Sequence, residues 1–179
     1  MRNSKVKGFT LIELIVVIAI IGVLAAILVP SMLGYVRNAR ISQANANAKQ
    51  VHTAVSSALT QLGISNFAFS GGSDPQVDVR LSGSGSTAKI ACTFKNVTAP
   101  SDDAMDLVSY LGENFKGVGR AFFNKATYSV TVAAWANNGT DLDKAGKTLS
   151  EMSGKKEETQ KSDAKAGNIY GIFPAPTLS

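Results

Sequence analysis

The chain of 179 residues is predicted to adopt an α+β fold, on three observations. A long apolar run opens the chain and passes into an amphipathic one at helical spacing. After Leu62 come short alternating segments separated by turn residues, the pattern of strands. The order, one long helix and then mostly strands, puts an antiparallel sheet against the helix rather than a layered βαβ arrangement.

The chain begins MRNSKVKG, a leader carrying Arg2, Lys5 and Lys7. From Leu14 to Val29 there are 16 consecutive residues without a polar side chain, and the 25 residues from Phe9 to Leu33 carry one charge, Glu13. A helix rises about 1.5 Å per residue, so about 20 apolar residues cross a bilayer. In lipid a helix also satisfies its own backbone hydrogen bonds. The basic leader is expected to stay cytoplasmic, with the rest of the chain outside. The run exceeds the apolar core of about 7–15 residues in a secretory signal, and no A-x-A pattern follows it closely. An ordinary signal anchor matches the hydropathy but leaves Glu13 unexplained, because a carboxylate near the start of a membrane helix needs a partner.

The stretch Lys7-Gly8-Phe9-Thr10-Leu11-Ile12-Glu13 resembles the class III signal of type IV prepilins. The resemblance implies cleavage between Gly8 and Phe9 by a prepilin peptidase, N-methylation of Phe9, and retention of the apolar segment. Gly8 presents no side chain to obstruct a protease, and the basic leader holds the site at the inner surface. In the family, the glutamate is thought to pair with the terminal amine of a neighbouring subunit. Pairing of Glu13 with Phe9 within one helix is also geometrically open at this spacing. A buried charge without its partner is costly, so the pairing favours one axial register. Gly22 and Pro30 weaken a helix interior, and the family analogy makes them candidates for local melting when helices assemble into a filament.

The fold so implied is pilin-like, with the second half of the helix packed on an antiparallel sheet of about four strands. The domain plan is a leader at 1–8, a transmembrane and filament-core helix at 9–33, an amphipathic helix at 34–62 and a β-rich head at 63–179. The implied function is a structural subunit of a type IV pilus or related filament, not an enzyme. The alternative within the class is a pseudopilin of a type II secretion or DNA-uptake system; from another class, it is a membrane-anchored surface binding protein. Implied partners are further copies of the chain, the peptidase, an inner-membrane assembly platform, other pilins and, before assembly, membrane lipid. The precursor would be a single-pass protein of the cytoplasmic membrane with its C-terminal domain outside, and the product a surface filament. Many type IV pilins close their C-terminal region with a disulfide, which the single cysteine of this chain, Cys92, cannot form.

Beyond Gly34, Ile41, Ala44, Ala48, Val51, Val55, Ala58 and Leu62 recur at spacings of three and four, a stripe along one helix face, with Gly63 as a stop. His52, the only histidine, falls beside the stripe and is expected as a partly exposed helix residue. The segment Asn66–Asp74, carrying SGGSDP, and the Gly-Ser run Ser82–Ser86 read as loops. Strands are expected at Val77–Leu81, Ala88–Phe94, Ala121–Phe123, Tyr128–Trp135 and Ile169–Phe173. In the fourth, Tyr128, Val130, Val132 and Ala134 are assigned to one side, and Asn137-Asn138-Gly139 ends it with a turn. A short helix capped by Ser101 or Asp102 is expected through Phe115. Cys92 is expected as a small buried hydrophobe. The mixed-charge segment Asp141–Gly167 is expected as a solvated loop or loose surface helix.

Of 18 basic residues, three lie in the leader; without them 15 face 13 acidic ones, a net charge of +2. No concentrated basic patch remains to attract phosphate, so nucleic acid is not an expected partner. Asp141 and Asp143 are a weak calcium pair, lacking the other oxygen ligands such a site needs. No cofactor is implied. No nucleophile elbow, zinc helix, P-loop or Cys–His pair occurs.

Overall fold

The structure, a computed structural model, describes residues 8–62, 68–69, 75–82, 89–95, 97–98, 111, 115–124, 126–127 and 129–176. Helix α1, Leu11–Leu62, has 52 residues and runs without interruption through Gly22 and Pro30. It contributes to two compact units, residues 1–37 and residues 38–179. In the first unit the large apolar side chains from Phe9 to Val36 are between 39% and 91% exposed. By length and composition this helix is able to cross a membrane.

The second unit is built on the amphipathic half of α1 and a sheet. The strands are β1 (Ala68–Phe69), β2 (Gln76–Ser82), β3 (Lys89–Lys95), β4 (Val97–Thr98), β5 (Val118–Phe123), β6 (Val130–Ala136) and β7 (Tyr170–Phe173). Five of them form an antiparallel sheet in the order β3-β2-β5-β6-β7, while β1 and β4 pair separately. The main sheet thus has one strand more than the four or so implied by the resemblance. The loop expected from Asn66 to Asp74 is corrected at Ala68–Phe69, which pair with β4 as a strand; the rest of that loop, positions 83–86 of the Gly-Ser run, Gly63, Tyr128 and most of the expected helix ending at Phe115 lie outside the described residues.

Strand alternation divides the side chains between two faces. Toward α1 point Val77, Val79, Ala121, Phe123, Ala133 and Trp135, closed by Ala44, Ala48, Val51, Val55, Ala58 and Leu59. The expected helix stripe from Ala44 to Ala58 is therefore the docking face, and Ile41 is buried with it; the side chain of Leu62 lies outside those described. Each fully buried Val or Leu contributes about 1.5–3 kcal/mol, so Val51, Val55 and Leu59 anchor the contact. The alanines set its closeness. Gly171 on β7 lies against the α1 backbone, where a Cβ would clash with Ala44 and Asn45.

The opposite face is also covered, which corrects the expectation for Asp141–Gly167. That segment forms three helices, α2 (Gly139–Ala145), α3 (Leu149–Ser153) and α4 (Glu157–Lys165). Leu142, Ala145 and Met152 join Val118, Phe122, Val132, Ala134, Tyr170 and Ile172 in a second core cluster. The first two of these helices start on side-chain caps. Asn138 Oδ1 accepts from Asp141 N–H at 2.9 Å, and Thr148 and Glu151 form a reciprocal capping box. Glu151 accepts the backbone N–H groups of Lys147 and then Thr148, which hold its carboxyl below the usual range.

A second correction concerns β6. Val132 and Ala134 face the short helices, but Val130 faces α1. The pairing steps from Phe122↔Val132 to Phe123↔Val130, leaving Thr131 as the extra residue of a bulge. A bulge inserts one residue and reverses the alternation beyond it. Thr131 Oγ1 donates to Phe122 O at 3.1 Å, holding the bulge in place.

Candidate functional site

Gly8, Phe9 and Thr10 precede α1, and Phe9 is 91% exposed. The helix then opens on a capping box. Glu13 N–H donates to Thr10 Oγ1 at 3.3 Å, while Glu13 Oε2 accepts from Thr10 N–H at 2.7 Å and from the Thr10 hydroxyl at 2.6 Å. The T-x-x-E spacing is the sequence signature of such a box. It gives Glu13 a partner within its own chain and sets the carboxylate in the first turn, where the helix dipole favours negative charge. A shallow groove of about 630 Å³ is lined by Phe9, Ile12, Glu13, Leu14, Val16 and Val17.

At Gly8 and Gly22 an added Cβ would meet nothing within 4 Å. The fold of the single chain therefore makes no steric demand for glycine at either position. Pro30 lies in the same exposed helical segment.

The remaining candidates are dispersed. Asp141 is in the first turn of α2, and Asp143 pairs with Arg120 at 3.3 Å. Among the described residues no group of three or more His, Cys, Asp or Glu side chains could hold a metal. The Nε2 of His52 lies 3.1 Å from Val130 O, and its ring meets Phe173 edge-on at 4.9 Å. His52 is thus half-buried and structural. Cys92 lies on β3 opposite Val79, and its expected burial falls outside the described side chains.

Sequence reasoning missed a buried ion cluster. Arg120 is 7% exposed. Its Nε and Nη2 donate to the two oxygens of Asp78 at 2.7 and 3.1 Å, and its Nη1 donates to Asp143 and to Gly146 O. Burial opposes the charge, but Asp78 first and Asp143 second more than offset it and raise the guanidinium pKa. The available signal was a lone arginine in the apolar strand Val118–Phe123. The cluster ties β2, β5 and α2 together.

The fold and the helix start define a class: a head of helix-backed antiparallel sheet carried on an apolar helix with one acidic residue in its first turn. The chain matches the family described as "Prokaryotic N-terminal methylation motif" over residues 3–29. It is 33% identical over 108 residues to a "Fimbrial protein" of Pseudomonas aeruginosa, covering 60% of this chain and 70% of that one. It is 45% identical over 57 residues to a "Type IV major fimbrial protein FimA" of Dichelobacter nodosus, covering 32% of this chain and 36% of that one. Over 52 residues it is 46% identical to the "Type IV major pilin protein PilA" of Myxococcus xanthus, covering 29% and 24%. Against the latter two, the match spans about a third and a quarter of the relative's length. No solved structure matches. The chain belongs to the type IV pilin family.

Proposed function

We propose that the chain is a structural subunit of a type IV pilus or related filament, made as a membrane-anchored precursor and polymerised through α1. The observation that carries this reading is the exposed apolar length of α1, bearing one carboxylate at its start. A soluble monomer does not leave such a surface in water. Lipid covers it before assembly, and the helices of neighbouring subunits cover it afterwards.

In this reading residues 1–8 are a leader, 9–33 the membrane and filament-core helix, 34–62 the helix that docks the sheet, and 63–179 the head. Prepilin peptidase cuts between Gly8 and Phe9 on the cytoplasmic side, and the new amine of Phe9 is methylated. The precursor sits in the cytoplasmic membrane with its head outside, and an inner-membrane platform moves it into the filament. In the free subunit Thr10 satisfies Glu13 within the chain. On assembly the carboxylate pairs with a Phe9 amine of a neighbour, and the cost of missing that partner selects the axial register. Gly22 and Pro30 are the positions at which α1 melts locally when helices crowd together.

Intact mass and N-terminal fragmentation of the native protein, taken from membranes and from sheared surface material, test this reading. A chain starting at Phe9, carrying one methyl group and present in the sheared fraction, supports it. A chain starting at Met1 and confined to the membrane overturns it.

A further inference from the structure

We propose that Asn138 is a self-modification site of the head, deamidated through attack by the Gly139 backbone nitrogen at a rate set by opening of the first turn of α2. Of the 11 asparagines in the chain, Asn138 alone is followed by glycine. Glycine has no Cβ to crowd its own nitrogen, so this step obstructs the attacking atom least. Asn138 is exposed and Gly139 is half-buried, so water reaches the amide.

The reaction needs water and no other co-reactant. The Gly139 nitrogen forms a bond to Asn138 Cγ, and the Cγ–Nδ2 bond breaks. The proton of the Gly139 N–H leaves with Nδ2 as ammonia. Water then opens the five-membered imide at either of its two carbonyls. One opening gives aspartate on an unchanged main chain. The other gives isoaspartate, in which the main chain runs through the former side chain.

The folded head restrains the first step. Ring closure brings the Gly139 nitrogen into line with Asn138 Cβ about the Cα–C bond, whereas the extended backbone of Asn138, φ −147° and ψ 168°, turns it away. Three hydrogen bonds hold that geometry. Asn138 Oδ1 accepts from Asp141 N–H at 2.9 Å, Asn138 Nδ2 donates to Asp141 Oδ2 at 3.3 Å, and Asn138 O accepts from Leu142 N–H at 3.1 Å. Turning the peptide toward the side chain breaks the third, and presenting Cγ to the nitrogen breaks the first two. Reaction therefore proceeds from molecules in which the first turn of α2 has opened, a local event that costs less than global unfolding.

The product alters the head. Aspartate at position 138 sets a second carboxylate against that of Asp141, where the amide had donated, and neighbouring like charges repel. Isoaspartate lengthens the main chain by one carbon at the cap. Helix α2 carries Leu142 and Ala145 into the second core and Asp143 onto Arg120. The modification thus loosens the cover of the outer sheet face as a subunit ages.

The test incubates the full chain in detergent and mildly alkaline buffer, with and without urea. Digestion and mass spectrometry with electron-transfer fragmentation then separate aspartate from isoaspartate at each asparagine. In urea, conversion at position 138 is expected to exceed that at every other asparagine, and Gly139→Ala is expected to slow it by about tenfold or more. Without urea the wild-type rate is expected to be lower by about tenfold or more. Asp141→Ala is expected to raise that native rate about threefold or more and to leave the rate in urea unchanged. No excess at position 138 in urea, or no slowing by Gly139→Ala there, overturns the site. Equal rates with and without urea overturn its control by α2, as does an unchanged native rate in folded Asp141→Ala. Should that variant fail to fold, the wild-type comparison with and without urea decides the control.

Discussion

Gly171→Ala puts a methyl group where β7 crosses α1 backbone to backbone. The added Cβ would stand 1.9 Å from Ala44 O, 2.0 Å from Ala44 C and 2.5 Å from Asn45 N. Relaxed carbon contacts lie at about 3.5–4.0 Å, so strand and helix must part by roughly 1.5 Å. All three atoms are backbone, and no side chain can swing aside to make room. Parting them weakens two bonds to Asn45 Oδ1, from Ile172 N–H at 3.0 Å and from Gln160 Nε2 at 2.8 Å. Overpacking costs about 1–3 kcal/mol and each lost hydrogen bond about 1 kcal/mol, a total of about 3–5 kcal/mol. Small domains have about 5–15 kcal/mol in all. The assay is urea unfolding of the full chain in detergent, followed by fluorescence of Trp135, the single tryptophan, which is 8% exposed in the α1-facing core. With a slope of about 2 kcal/mol per molar, the midpoint should fall by about 1.5–2.5 M. Gly167→Ala is the control. Its φ of 93° strains any side chain, but nothing lies within 4 Å, so its cost is about 1–2 kcal/mol. A Gly171→Ala midpoint no lower than that of Gly167→Ala refutes the steric reasoning.

Gly8→Leu should leave the precursor uncut while the unfolding free energy stays within about 0.5 kcal/mol of wild type, since an added side chain meets nothing there; a normal mature mass removes the cleavage assignment. Glu13→Ala should be processed and retained in membranes yet lower the yield of sheared filament by about tenfold, equivalent to about 1.4 kcal/mol of register preference; normal filaments remove that role. For Tyr170, burial and then its 2.6 Å hydrogen bond to Asp163 push the phenol pKa well above its usual value. A raised folded value favours the neutral form, so the contribution is fully present below the unfolded value of about 10 and is lost as pH rises through the folded value. The wild-type urea midpoint should therefore decline above about pH 10 more steeply than that of Tyr170→Phe; parallel profiles deny the phenol that role.

The helix stripe and the strand segments were legible because each is a local periodicity: burial on one side of a repeating backbone writes itself into spacing. Ile41, Ala44, Ala48, Val51, Val55 and Ala58 were read as one face and are one face. The Lys7–Glu13 stretch was legible for another reason, since its residues act on peptide bonds and charges within a few positions of one another. The helical segment Asp141–Gly167 was misread because charge density masked a stripe of Leu142, Ala145, Leu149 and Met152 that continues across the break at Gly146. The caps Thr148–Glu151 and Thr10–Glu13 carried a sequence signature in both places, and weighing it would have recovered the short helix and the intrachain partner of the carboxylate.

By itself the sequence determined the fold class, the family and the long helix followed by strands, because these depend on composition and period along the chain. Only the tertiary structure decided which side of the sheet each residue serves. The Thr131 bulge inverts the alternation beyond it, and no local pattern records an extra residue until the partner strand is in place. The same holds for Arg120 with Asp78, 42 positions apart, and for Gln160 with Asn45, 115 positions apart. Their pairing is set by strand order and helix docking, and those follow from how the whole chain excludes water from its core rather than from any segment of it.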